Sequence, residues 1–211
     1  MPPLNDVFVT GPYAFLVTSA VEPSAAASEP VNPGTAPAKT LKFRAWVLGV
    51  ATAIVVLDQG TKALAVAHLE ARMTPVVLVG AVFGHGIGPL LRLTFARNSG
   101  AAFSIGAGMT WLFALLAVAI SVVIWRVSRR LGSVWWSVAF GLMLGGALGN
   151  LIDRIFRSPG HFQGHVVDFI ALPHFAVFNI ADSAITCSAV LMVVLVILGV
   201  DLSGGRAVAS S

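Results

Sequence analysis

The chain has 211 residues, of which 57% are hydrophobic and 10% charged, and its formal net charge is +4. A mean hydropathy of +0.89 excludes an ordinary water-soluble domain and indicates an integral membrane protein. The basic excess would suggest a nucleic-acid partner in a soluble protein; here Lys and Arg sit beside apolar runs, so membrane topology accounts for them and no nucleic acid is expected.

Residues 1–40 are rich in Ala, Pro, Ser, Thr and Gly, too little apolar surface to offset the entropy of ordering, and read as a flexible N-terminal tail. No Lys or Arg precedes the apolar patch Val7 to Val21 and Pro12 interrupts it, so a cleaved leader is not expected. Lys39, Lys42 and Arg44 introduce the first transmembrane helix, which starts at about Ala45 and continues past Asp58 and Lys62 to about Leu69. From about 70 to 108, short β-branched runs flank the glycine-rich GAVFGHGIGP. They suggest a small β-rich lobe between helices 1 and 2, outside the hydrocarbon, because an open sheet edge cannot face lipid. Further spans are expected at Met109 to Trp125, Ser133 to about Ile152 and about Ile180 to Gly199. The expected fold is therefore four transmembrane helices with an extracytoplasmic β-lobe, the membrane domain covering 41–202 and a short C-terminal tail 203–211.

The basic segments before helix 1 and between helices 2 and 3 (Arg126, Arg129, Arg130) mark the cytoplasmic side, which puts both termini inside. Trp46, Trp111, Trp125, Trp135 and Trp136 fall near expected helix ends, as an aromatic belt would. Gly141, Gly145 and Gly149 recur every fourth residue and read as a close-packing face. Cys187, the single cysteine, excludes an internal disulfide and reads as a small packing residue.

With these directions, the outer half of helix 1 (Asp58, Lys62), the outer end of helix 3 (Asn150, Asp153, Arg154) and the start of helix 4 (Asn179, Asp182) meet at one membrane surface. Acids at the edge of hydrocarbon are costly and call for a function. Structural ion pairs, Asp58 with Lys62 and Asp153 with Arg154, would account for part of the cluster, and a solvated loop with helix capping for both Asp168 and Asp182. No P-loop, GxSxG or HExxH is present and the five histidines show no paired ligand spacing, so neither a cofactor nor a metal is expected. Asp168 and Asp182, around the start of the last span, are candidates on position alone for metal-free peptide hydrolysis. Two carboxylates perform it when close enough to share a proton, one acting as base and the other as acid; spacing in sequence does not establish that contact. A small proton-coupled carrier is the rival class; it would place acids nearer the bilayer midplane, with repeated halves.

The blocks VVLDQGTK, RNSGAAFS, GGALGNLIDR, GHVVDF and FNIADS, in this order between about residues 43 and 200, resemble the motif blocks of lipoprotein signal peptidase (signal peptidase II). The resemblance implies a bacterial inner-membrane aspartic endopeptidase that cuts signal peptides from diacylglyceryl-modified prolipoproteins just before the lipidated cysteine, with its active site near the extracytoplasmic surface. It implies Asp168 and Asp182 as the catalytic pair. Asp58, Lys62, Asn98, Asn150, Asp153, Arg154 and Asn179 match supporting positions that orient the pair and bind substrate backbone. The partners it implies are those prolipoproteins and the membrane lipids among which their acyl chains remain. The long N-terminal tail departs from the family pattern.

Overall fold

The computed structural model describes residues 36–79, 90–100 and 109–205, with side chains from residue 41 onward. Most of the N-terminal tail, the glycine-rich part of the lobe, residues 101–108 within and after the RNSGAAFS block, and the end of the C-terminal tail lie outside the described residues. In chain order the elements are α1 (Ala36–Leu69), β1 (Val76–Val79), β2 (Leu91–Asn98), α2 (Thr110–Val127), α3 (Val134–Phe156), β3 (Val166–Ala171) and α4 (Ile180–Ile197).

Among the described residues, three helices are long and apolar enough to cross a membrane: α2 with the 3-10 turn that continues it to Arg130, α3 and α4. At 34 residues α1 is longer, and Asp58, Gln59 and Lys62 interrupt its apolar run. Those polar groups do not face outward: Asp58 and Lys62 are fully buried, whereas Leu48, Val56, Leu57 and Leu64 on other faces of α1 are exposed. Exposed Leu115, Leu116 and Val123 on α2 and Val190, Val193 and Ile197 on α4 repeat the pattern. Apolar surface on this scale is the surface of a lipid-embedded bundle.

The helix α3 is the centre of the bundle, and its glycines explain why. A methyl group at Gly141 would lie 2.6 Å from Val50 Cβ, and at Gly145 2.7 Å from Ile54 Cβ, both on α1. At Gly149 it would lie 2.6 Å from Asp58 Oδ2. Only hydrogen side chains allow α1 this close, so the repeated glycines are a packing face that also makes room for a carboxylate. Ser133 starts the helix by accepting the Trp136 N–H on its side chain. Trp136 departs from the belt reading: it is buried and donates its indole N–H to Val200 O at 2.9 Å, while neighbouring Trp135 is exposed. Consecutive helical residues point about 100° apart, so one of the two faces the bundle and the other its surroundings.

The sheet is antiparallel in the order β1-β2-β3. Two strands come from the segment after α1 where strands were expected; the third, β3, comes from the α3–α4 connection, which carries no turn-bounded alternation. Val167 and Phe169 on one face of β3 join Ala65 and Leu69 of α1 in a buried cluster. The intervening Asp168 consequently points to the other face. The free edge of β3 is covered by its own chain, with Phe178 exchanging backbone hydrogen bonds with Ile170.

Candidate active site

Asp168 is carried on β3 opposite Ala96 of β2 and is almost fully buried at 2% exposure. Asp182 occupies the first turn of α4. Asn179 caps that helix: its Oδ1 accepts the Asp182 N–H at 3.0 Å, and Asp182 Oδ2 accepts the Asn179 N–H at 3.1 Å. This capping box satisfies two otherwise unpaired amides and fixes the carboxylate of Asp182. The same Asn179 donates Nδ2 to Asp168 Oδ1 at 2.7 Å. One asparagine therefore ties the two aspartates together, one by its side chain and the other by its backbone.

The remaining carboxylate oxygens also receive amides. Asn98 donates to Asp168 Oδ2 at 2.9 Å and Asn150 to Asp182 Oδ1 at 2.8 Å. Each of the three asparagines is turned the right way by what its own oxygen accepts. Gly100 N–H holds Asn98 Oδ1, Lys62 Nζ holds Asn150 Oδ1, and Asp182 N–H holds Asn179 Oδ1. An amide whose oxygen is held by a donor must present its NH2 to the other side, and all three present it to the aspartates.

All four acids of the cluster are placed at one end of the bundle, and they fall into two pairs. Lys62 Nζ lies 2.8 Å from Asp58 Oδ2 and 2.9 Å from Asp153 Oδ2, and Arg157 Nε lies 2.7 Å from Asp153 Oδ1. Asp58 and Asp153 are thus neutralised by cations. Asp168 and Asp182 are in no ion pair among the described residues and are held by neutral amides alone. Burial, followed by the charge of Asp182, pushes the Asp168 carboxyl up to about 6. Two uncompensated carboxylates sharing one asparagine favour holding a proton between them.

A cavity of about 580 Å³ adjoins this pair, lined by Asp168, Asp182, Asn98 and Arg154 on its polar side and by Phe113 and Ile185, among others, on its apolar side. Arg154 is buried; it donates to Asn150 O at 3.2 Å and Gly100 O at 3.4 Å, and its Nε has no hydrogen-bond partner among the described residues. The pairing of Asp153 with Arg154 expected from sequence is corrected: Asp153 pairs with Arg157, one turn along the same face, because adjacent residues i and i+1 diverge on a helix. Cys187 is exposed and lines the cavity instead of packing inside the bundle. Gln59 of the VVLDQGTK block, not among the expected site residues, donates to Asp58, Gly149 O and Asp153. Its only sequence signal was its place beside Asp58. Glu70 is bound by Arg97 at 2.6 Å on the half-exposed surface.

A family model described as signal peptidase (SPase) II matches residues 50–198. The lipoprotein signal peptidase of Rhodococcus jostii (strain RHA1) is 45% identical over 175 residues, 82% of this chain and 84% of the relative. That of Streptomyces coelicolor is 49% identical over 158 residues, covering 75% and 73%. That of Mycobacterium tuberculosis (strain ATCC 25618 / H37Rv) is 42% identical over 183 residues, covering 87% and 84%. A solved bacterial membrane enzyme superposes with a TM-score of 0.57 at 29% identity over 72% of this chain and 87% of the other.

Proposed function

We propose a reaction for this chain, which belongs to the signal peptidase II family: it removes the signal peptide from a diacylglyceryl-modified prolipoprotein, cutting just before the lipidated cysteine, with Asp168 and Asp182 as an aspartic acid–base pair. The observation that carries the assignment is the division of the four acids. Asp58 and Asp153 are neutralised by Lys62 and Arg157, while Asp168 and Asp182 are held by oriented amides and line the cavity.

The working form is the pair with one proton. The ionised carboxylate takes a proton from a water whose oxygen attacks the scissile carbonyl carbon; the protonated partner donates to the carbonyl oxygen. The tetrahedral species collapses as the C–N bond breaks. The departing nitrogen, which becomes the amino group of the lipidated cysteine, receives a proton from the carboxyl that deprotonated the water. The other carboxyl recovers its proton from the hydroxyl that becomes the new carbonyl. Arg154, whose side chain lines the same cavity, is available to a substrate carbonyl. The three asparagines keep both carboxylates aimed without cancelling their charge.

On this reading α1 is a fourth span and both termini are cytoplasmic. The sheet and the site lie near the extracytoplasmic surface, and acyl chains stay against apolar helix faces. Supporting it are the basic residues in the first turns of α1 and at and just after the end of α2, and the burial of Asp58 and Lys62. No feature of the described residues favours a proton-coupled carrier. The test is incubation of the purified protein with a diacylglyceryl-modified precursor and its unmodified control, followed by mass spectrometry. Cleavage immediately before the modified cysteine, and much slower cleavage of the control, is expected. Equal rates on both would remove lipid-guided binding from the reading, and a cut elsewhere would remove the reaction.

A further inference from the structure

The two neutralised acids do more than balance charge. Asp58 Oδ1 accepts the N–H of Ala181 at 2.9 Å, and Ala181 immediately precedes Asp182. Asp153 Oδ2 accepts the N–H of Val167 at 3.2 Å, and Val167 immediately precedes Asp168. Each paired acid therefore grips the backbone one residue upstream of an unpaired one. The two grips are joined twice. Lys62 bridges them at 2.8 and 2.9 Å. Gln59 Nε2 bridges them again, at 3.1 Å to Asp58 Oδ2 and 3.2 Å to Asp153 Oδ1, while also reaching Gly149 O at 3.0 Å.

We propose that Asp58, Asp153, Lys62 and Gln59 form a positioning clamp that sets the separation of Asp168 from Asp182, with Gln59 as its uncharged crosslink. The inference rests on the dyad reading above. Its physical basis is that Asp168 and Asp182 ride on different elements, a strand and a helix start, joined by the connection through residues 172–179. Their spacing thus depends on how β3 sits relative to α4. A carboxylate has enough lone pairs to hold a backbone N–H and a cation together, so one ion cluster on α1 and α3 can fix both elements. Its charges close: Asp58 and Asp153 against Lys62 and Arg157.

Gln59 permits a test free of charge effects. Gln59→Met keeps length and net charge but removes every bridge that the amide makes. The charged groups acting on Asp168, namely Asp182 from α4, Lys62 from α1 and Arg154 from α3, all remain. If the clamp sets spacing, kcat on the diacylglyceryl-modified precursor falls about tenfold or more while KM stays within about twofold, as misplacement of reacting groups predicts. The upper pH limb of kcat/KM also moves to lower pH, because separated carboxylates repel less and release the shared proton earlier. Ser188→Ala serves as the control for general weakening, since its buried hydroxyl donates to Ala139 O at 2.6 Å elsewhere in the bundle. That variant should lower Tm and leave the limb where it is. Should Gln59→Met fail to fold, Gln59→Asn, which keeps the amide but cannot span both grips, is read in the same way. Wild-type kcat, or a lower kcat with an unmoved limb, overturns the clamp. Substantial cleavage by Asp168→Asn or Asp182→Asn would instead overturn the dyad.

Discussion

Asp168→Asn should destroy cleavage and yet stabilise the protein at alkaline pH. The carboxyl titrates near 6 in the folded protein against an ordinary 3.8, mainly because it is buried and secondarily because Asp182 is negative. Below pH 3.8 the group is protonated whether the chain is folded or not, and burial carries no ionic penalty. Between 3.8 and 6 the unfolded chain ionises first and folding loses ground; above 6 the loss is constant. At about 1.4 kcal/mol per pH unit, ionised Asp168 costs the fold about 3 kcal/mol at pH 8 and about 0.5 kcal/mol at pH 4. The amide of the variant removes this cost but turns an NH2 toward Asn98 or Asn179, both donors here, at about 1–2 kcal/mol. The variant is then more stable than wild type by about 1–2 kcal/mol at pH 8 and less stable by about 1 kcal/mol at pH 4. Unfolding temperatures of both proteins in one detergent, at both pH values, measure this as a reversal of sign. A difference of the same sign and size at both pH values would refute the reasoning.

On the proposed mechanism the same carboxyl should set the pH dependence of turnover: kcat/KM should fall about tenfold per unit above about pH 6, as the free pair loses its shared proton. The limb in kcat should lie higher, because substrate filling the cavity desolvates the pair further; profiles of both constants check this, and coincident or flat limbs contradict it. Gly149→Ala should lower both Tm and activity, since its methyl group meets Asp58 Oδ2. Gly49→Ala, which meets open space on the same bundle, should be neutral or stabilising by up to about 1 kcal/mol. Thermal unfolding and cleavage rates of the two variants side by side provide the comparison.

Hydropathy made the helices legible to within a few residues, except that α1 starts at Ala36, inside the stretch read as tail. The polar residues were legible because ionisable groups in an apolar chain are few and helix direction decides which ends meet. Sequence pairs Asp58 with Lys62 and singles out Asp168 and Asp182. It does not carry the second bridge from Lys62 to Asp153 or the asparagines that hold the other two acids; only the third dimension supplies these. Strand β3 was missed because every residue but Ile170 is buried, so Asp168 breaks an otherwise apolar run and no polar–apolar alternation appears. The apolar run of α3 ends at about Ile152 whereas the helix continues to Phe156, so hydropathy alone does not place Arg157 one turn from Asp153, with which it pairs.

The most direct measurement is single-turnover cleavage of a diacylglyceryl-modified precursor by purified Asp168→Asn and Asp182→Asn, each shown to be folded by its unfolding transition. If one carboxylate activates water while the other supplies a proton, neither variant retains more than about a thousandth of the wild-type rate. A rate within about tenfold of wild type in either folded variant would contradict the two-aspartate mechanism.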